Sequence, residues 1–212
     1  MDKILSEQLK DLFSAVAAIM AENSEQLCAM DAAVGDGDLG LTMKRGFEAV
    51  PGAMEAAAED DVGKKLMKAG LKMSSTVPST MGTLMSSGLM SGGRKLLGKT
   101  EMGPKEYVEF LDGFCEGLMK RGKCVPGDRT ILDALDSARK KATDALASGK
   151  NLKDVAAASL EGARAGTEAT KNMIPKFGKA AIFKEKALGR QDQGAVAGTL
   201  FVQAMTDYIA EN

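Results

Sequence analysis

Apolar residues in this chain recur at helical spacing along almost its whole length. No segment shows a convincing alternation or a β-branched run, so helix packed on helix is the architecture available. Leu5, Leu9, Leu12, Phe13, Val16, Ile19 and Met20 share one face of a first amphipathic helix. Ser24 is placed to cap a second, which would deliver Asp31 at its end. Thr42 can cap a third, running through Met43, Phe47 and Val50 and ended by Pro51. A helix over 61–73 follows, then one with Leu84, Met85 and Leu89. Pro104 can start the next, with Tyr107, Val108, Leu111, Phe114, Cys115, Leu118 and Met119 on its apolar face. Asp128 stands where an N-cap belongs, ahead of a helix towards Ala147. An alanine-rich helix over about 152–172 and a last one over 195–210 complete the series. The last has apolar residues on more than one face, as a central helix would. The expected class is therefore all-α, with antiparallel helices; 212 residues suit one large domain or two small ones.

The chain contains no histidine, which excludes Ser-His-Asp and Cys-His catalysis, His-ligated zinc and a phosphohistidine carried on this chain. Its 28 basic and 29 acidic residues nearly cancel, so no polyanion-binding face is announced and nucleic acid is not an expected partner. Cys28, Cys115 and Cys124 form no close ligand pair and leave an odd count, as reduced cytosolic thiols would. Without a basic-then-apolar leader or a bilayer-length apolar run, the expectation is a soluble, cytoplasmic protein with no membrane partner.

Chemistry concentrates in the stretch Asp31-Ala-Ala-Val-Gly-Asp36-Gly-Asp38-Leu-Gly-Leu-Thr42, where three carboxylates stand among glycines with no basic residue before Lys44. Carboxylates held this close repel unless a cation sits between them, and Gly35, Gly37 and Gly40 permit the irregular backbone that would converge them. Oxygen-only ligands of this kind suit Mg²⁺, which takes a few carboxylates and completes its octahedron with water and phosphate oxygens. An acidic, solvated turn capping the next helix would have the same composition.

Asp31-Ala-Ala-Val-Gly-Asp36-Gly-Asp38-x-Gly resembles the signature of the nucleotide-binding L subunit, or L domain, of dihydroxyacetone kinases. Two more segments match in order, Gly127-Asp128-Arg129-Thr130-Ile131-Leu132-Asp133-Ala134 and Gly189-Arg190-Gln191-Asp192-Gln193-Gly194-Ala195. The resemblance implies a single all-helical barrel over residues 1–212 that carries ADP or ATP at one end. It implies Mg²⁺ on Asp31, Asp36 and Asp38, and nucleotide contacts from Leu39, Gly40, Leu41, Thr42, Ser79, Thr80, Gly122, Ile131, Lys179, Asp192, Gln193 and Gly194. Lys179 stands where the family has a phosphate-touching arginine; Leu39 and Arg190 stand where it has histidines, and Gln193 where it has proline. The implied activity is a kinase for a small ketose, dihydroxyacetone or a related triose or tetrulose. A separate K-type subunit would hold the ketose through its own histidine, and the phosphoryl donor is free ATP or a phosphotransferase-system protein. A homodimer stays open, as does a nucleotide-binding regulatory module without transfer activity.

Two further segments bear on that reading. Hydroxyls around Pro78, at Ser79 and Thr80, precede a new helix and would aim free backbone N–H groups at an anion. The stretch from Ile174 to Gly194 is long for a helical bundle and carries Lys176, Lys179, Lys184, Lys186 and Arg190, as a basic lid over polyphosphate would. Gly93-Arg-Lys-Leu-Leu-Gly98-Lys99-Thr100 matches the P-loop pattern letter for letter, which would make Lys99 the phosphate ligand of a P-loop enzyme. A P-loop must follow a buried strand and open a long helix; helix-period sequence precedes this one and Gly103-Pro104 interrupts it. The expectation is a helix C-terminus with basic residues near its exposed carbonyls.

Overall fold

The helical periods become a closed ring in the computed structural model, which describes residues 1–57 and 59–212. The helices are α1 (Leu9–Glu22), α2 (Ser24–Ala32), α3 (Leu39–Glu48), α4 (Val50–Glu55), α5 (Val62–Thr76), α6 (Thr80–Lys95), α7 (Pro104–Gly122), α8 (Ile131–Ala147), α9 (Leu152–Ala169) and α10 (Gln193–Glu211). From α5 to α10 each helix packs on the next; α10 packs on α1, and α1 returns to α5 through α4. Short connections make neighbours antiparallel from α5 to α9 and the long 170–192 segment returns the chain to the same end, so α6, α8 and α10 all begin together.

α10 lines the centre, as its broad apolar coverage led one to expect. Phe201 sits 6.3 Å from Phe13 of α1, 5.7 Å from Phe47 of α3, and 6.4 and 5.3 Å from Phe110 and Phe114 of α7, ring centre to ring centre. All five rings are essentially inaccessible to water. Burial of side chains this size contributes about 1.5–3 kcal/mol each, which gives the ring a firm hub. α6 approaches α7 closely because Gly88 has no side chain: a Cβ there would lie 2.3 Å from Phe114.

Several local expectations are corrected. Leu5 is not helical; Ile4–Leu5 pairs antiparallel with Glu101–Met102 and a 3-10 turn leads into α1. The third helix begins at Leu39 with Asp38 at its N-cap, four residues before Thr42, because the acidic loop turns at once into helix. Pro51 ends nothing: it occupies the first turn of α4, where a missing N–H costs no hydrogen bond. Asp128 does not cap α8. Its carboxylate accepts from Val125 N and Lys176 Nζ, while Thr130 caps the helix by accepting from Leu132 N at 3.2 Å. Asp133 returns the bond to Thr130 N at 2.7 Å, and Arg129, with φ at +59°, makes the intervening turn.

The P-loop-like segment is the end of α6 and the turn after it, with Gly98 at φ +81°. Lys99 pairs with Glu106 at 3.2 Å. A helix of 16 residues is ~24 Å long, so this segment lies a full helix length from Ser79 and Thr80 at the other end of α6. No helix among the described residues is long and apolar enough to cross a membrane.

Candidate functional site

Four helices start at one cavity. Leu39 of α3, Thr80 and Met81 of α6, Thr130 and Ile131 at the start of α8, and Gln193 and Gly194 of α10 all line a space of about 270 Å³. The leading N–H groups of a helix have no partner within it, and its dipole leaves positive charge there; four such ends aimed at one space make a site for anions. Asp38 makes no side-chain cap, so the first-turn N–H groups of α3 are left for another acceptor. A second space of about 310 Å³ adjoins it and shares Thr80, Leu84, Ile131 and Phe177. That annex reaches Leu118, Gly122 and Cys124 and is mainly apolar, so the whole cleft has a polar end and a greasy end.

The acidic loop closes the polar end. Asp31 is buried at the end of α2, and its Oδ2 accepts from Gly37 N at 2.9 Å and Asp38 N at 3.2 Å. Its Oδ1 accepts from Gln193 Nε2 at 3.1 Å, tying the loop to the first residue of α10. Glycine is required twice here: a Cβ on Gly40 would lie 1.8 Å from the Ser24 carbonyl, and Gly37 holds φ +78°. One carboxylate oxygen from each of Asp31, Asp36 and Asp38 lies within 4.8 Å of the others. Neighbouring oxygens on an octahedral ion with ~2.1 Å bonds are ~3.0 Å apart and opposed ones ~4.2 Å, so the exposed Asp36 and Asp38 side chains have to close on Asp31 to share one ion. This all-oxygen, triply anionic set fits Mg²⁺.

The basic segment crosses the cleft as two 3-10 turns, Lys179–Ile182 and Lys184–Ala187. Lys179 Nζ donates to Asp36 Oδ2, which holds the Asp36 carboxyl below its usual range and the ammonium above its own. The segment is fastened at both feet, by Lys176 on Asp128 at 2.6 Å and by Arg129 Nη2 on the Arg190 carbonyl at 2.9 Å. Lys176 in turn draws the Asp128 carboxyl down. Asp192 caps α10 through Ala195 N at 2.9 Å; burial pushes its carboxyl up to about 6.

Of the residues singled out in the sequence, Asp31, Asp36, Leu39, Thr80, Ile131, Lys179, Asp192, Gln193 and Gly194 line the first cavity, and Gly122 lines the annex. Asp38 joins the carboxylate cluster. Ser79 stands behind Thr80, accepting from Gly82 N at 3.1 Å. Gly40, Leu41 and Thr42 form no part of the cavity wall. Gly40 is packed on α2, Leu41 faces outward at 48% exposure, and Thr42 is buried within α3. Arg129, Phe177 and Leu84 line the cleft without having been singled out. Arg129 lay inside a quoted motif; the two apolar residues carried no signal beyond hydrophobicity.

Compared with known proteins, residues 33–207 match the family model described as DAK2 domain. The chain is 30% identical over 192 residues to the PEP-dependent dihydroxyacetone kinase, ADP-binding subunit DhaL of Escherichia coli (strain K12), an alignment covering 88% of this chain and 89% of that one. It is 29% identical over 205 residues to the triokinase/FMN cyclase of Bos taurus, covering 96% of this chain and 35% of that protein, so it spans about a third of such longer relatives. The dihydroxyacetone kinase of C. freundii shares the fold, with a TM-score of 0.72 at 24% identity over 95% of this chain and 34% of that one. Its complex with AMP-PNP and Mg²⁺ gives a TM-score of 0.69 at 25% identity, covering 94% and 33%.

Proposed function

The chain belongs to the DAK2 domain family, and from that premise we propose that residues 1–212 form one nucleotide-binding domain, the phosphoryl-transferring part of a dihydroxyacetone-kinase-like enzyme. The observation that carries this reading is the meeting of four helix N-termini, three carboxylates and a lid lysine at one end of the barrel.

ADP or ATP lies along the cleft, with its base and sugar in the annex against Leu84, Ile131 and Phe177 and its phosphates at the helix ends. When bound, Mg²⁺ neutralises phosphate charge and aligns the terminal phosphoryl group. Asp31, fixed by two backbone N–H groups and Gln193, is the rigid ligand; exposed Asp36 and Asp38 close onto it. Backbone N–H groups of Leu39, Gly40 and Leu41 bind phosphate oxygens, a role open to Gly40 and Leu41 although neither lines the cavity. Asp36 would be a ligand of the divalent cation, which would leave the Lys179 ammonium to meet the charge that develops on the transferring group. As lysine it supplies charge without a bidentate fork.

The acceptor is an alcohol group of a small ketose, a triose or tetrulose, held by a separate K-type subunit, since a chain without histidine has no imidazole with which to hold or deprotonate it. Purified alone with ATP, Mg²⁺ and dihydroxyacetone, the protein is expected to make no triose phosphate; adding a cognate K-type subunit switches transfer on. Robust phosphorylation by the lone chain would overturn the two-part reading.

A further inference from the structure

A third cavity, of about 480 Å³, lies on the far side of Arg129 from the nucleotide cleft. Its floor is the end of α2, with Ala29 and Met30, and Val34 in the turn after it; its wall carries Arg129, Lys171 and Arg190. Arg129 is only 3% exposed, yet its Nε and Nη1 have no hydrogen-bond partner; Nη2 alone is engaged, on the Arg190 carbonyl. A buried guanidinium with two idle donors is costly, and such groups in folded proteins are normally met by an acceptor. Its backbone is also in the left-handed region, at φ +59°, a conformation that non-glycine residues keep only where the surroundings impose it.

The nearby carboxyls do not fill the need. Glu168 stands at the rim and is shared between Lys171, at 2.6 Å, and Gln191 Nε2, at 2.9 Å. Asp192, the carboxyl that Arg129 senses, faces the first cavity and accepts from Ala195 N. Arg129, Lys171 and Arg190 face Glu168 at the rim and Asp192 on the far side of Arg129, so positive charge is left over for an anion such as a phosphate group. The apolar floor beside them suits an organic body attached to that phosphate.

We propose that this cavity is a second anion site that binds a phosphate group, as inorganic phosphate or as a monoester with an apolar body, whether or not the first is filled. It does not depend on the reading of the first cleft as a nucleotide site. Arg129 lines both spaces, so an occupant of the second bears on the wall of the first and on the foot of the lid at Arg190.

Methionine methyl groups report the two spaces separately, since Met30 lines the second cavity and Met81 the first. In methyl NMR of the full chain, inorganic phosphate and phenyl phosphate are titrated with and without saturating Mg²⁺ and ADP. Expected is a saturable shift of the Met30 methyl in both conditions, tighter for phenyl phosphate if the occupant is a monoester and equal for the two if it is the free ion. Arg190→Ala should weaken binding on the order of tenfold, the scale of one lost charge-assisted contact. Glu168→Gln, which frees Lys171, should tighten it. A shift confined to Met81, abolition of the Met30 shift by ADP, or parent-like binding by Arg190→Ala would each overturn the proposal. Failure of ADP to move Met81 would count against the nucleotide reading alone.

Discussion

Replacing Asp31 by alanine should damage both the loop and the cation site, whereas Asp36→Asn should damage only the second. Asp31 is 7% exposed and satisfies Gly37 N, Asp38 N and Gln193 Nε2 at 2.9, 3.2 and 3.1 Å. Hydrogen bonds to a charged acceptor contribute about 1.5–3 kcal/mol each, but this loop is partly open and water can replace some of that; about 3 kcal/mol is the expected net loss. At ~2–4 °C per kcal/mol for a chain of this length, Asp31→Ala should melt ~6–12 °C below the parent. Asp36 is exposed and its partner is the Lys179 ammonium, an ion pair in open solvent that adds little to stability, so Asp36→Asn should melt with the parent. Both variants should lose Mg²⁺-dependent ADP affinity on the order of tenfold or more, since each removes one of three charged ligands. Differential scanning calorimetry and isothermal titration with ADP, with Mg²⁺ or chelator, separate the two effects. If Asp31→Ala melts with the parent, the buried carboxylate does not hold the loop. If Asp36→Asn binds ADP like the parent in both conditions, the three carboxylates are not the cation site.

Lys179→Ala, assayed with the K-type subunit present, should lower turnover more than it weakens ADP binding, because its ammonium acts on developing charge; equal turnover would remove the lid from the mechanism. Lys99→Ala should bind ADP like the parent, as it pairs with Glu106 of α7 beyond the C-terminal end of α6, and a large loss measured by titration would contradict the fold reading. Asp192 holds a carboxyl raised from 3.8 to about 6, so the folded state takes up its proton more readily than the unfolded chain; the stability this confers is present below about pH 4 and is lost as pH rises through about 6. That rise corresponds to about 3 kcal/mol. Asparagine keeps the cap without a charge to bury, so Asp192→Asn should gain on the parent by about that amount between pH 4 and pH 7 in urea unfolding; a pH-independent difference would refute the assignment.

What the sequence determined by itself is what depends on near neighbours along the chain. Helical period marks Phe13, Phe47 and Phe114 as core-facing because an apolar face repeats within a few residues. Asp36 and Asp38 are close in space to Asp31 because they are close in the chain, so a cation site could be suspected from spacing alone. Caps were legible at Ser79 and misread twice: Thr130 displaced Asp128, and Ser24 is the first residue of α2, whose N-cap is Asn23. Tertiary structure alone decided which helix ends meet. Residues 39, 80, 131 and 193 are dozens of positions apart, and no local pattern states that the ring closes so that all four N-termini face one space. Gly40, Leu41 and Arg129 show the same limit. Proximity in sequence put the first two beside the site, while packing on α2 turned Gly40 from it and Leu41 faces solvent; burial gave Arg129 two idle donors that its composition could not announce. Periodicity is a property of one element, whereas the direction of a dipole, the depth of a charge and the partner of a donor are set by every element packed around it.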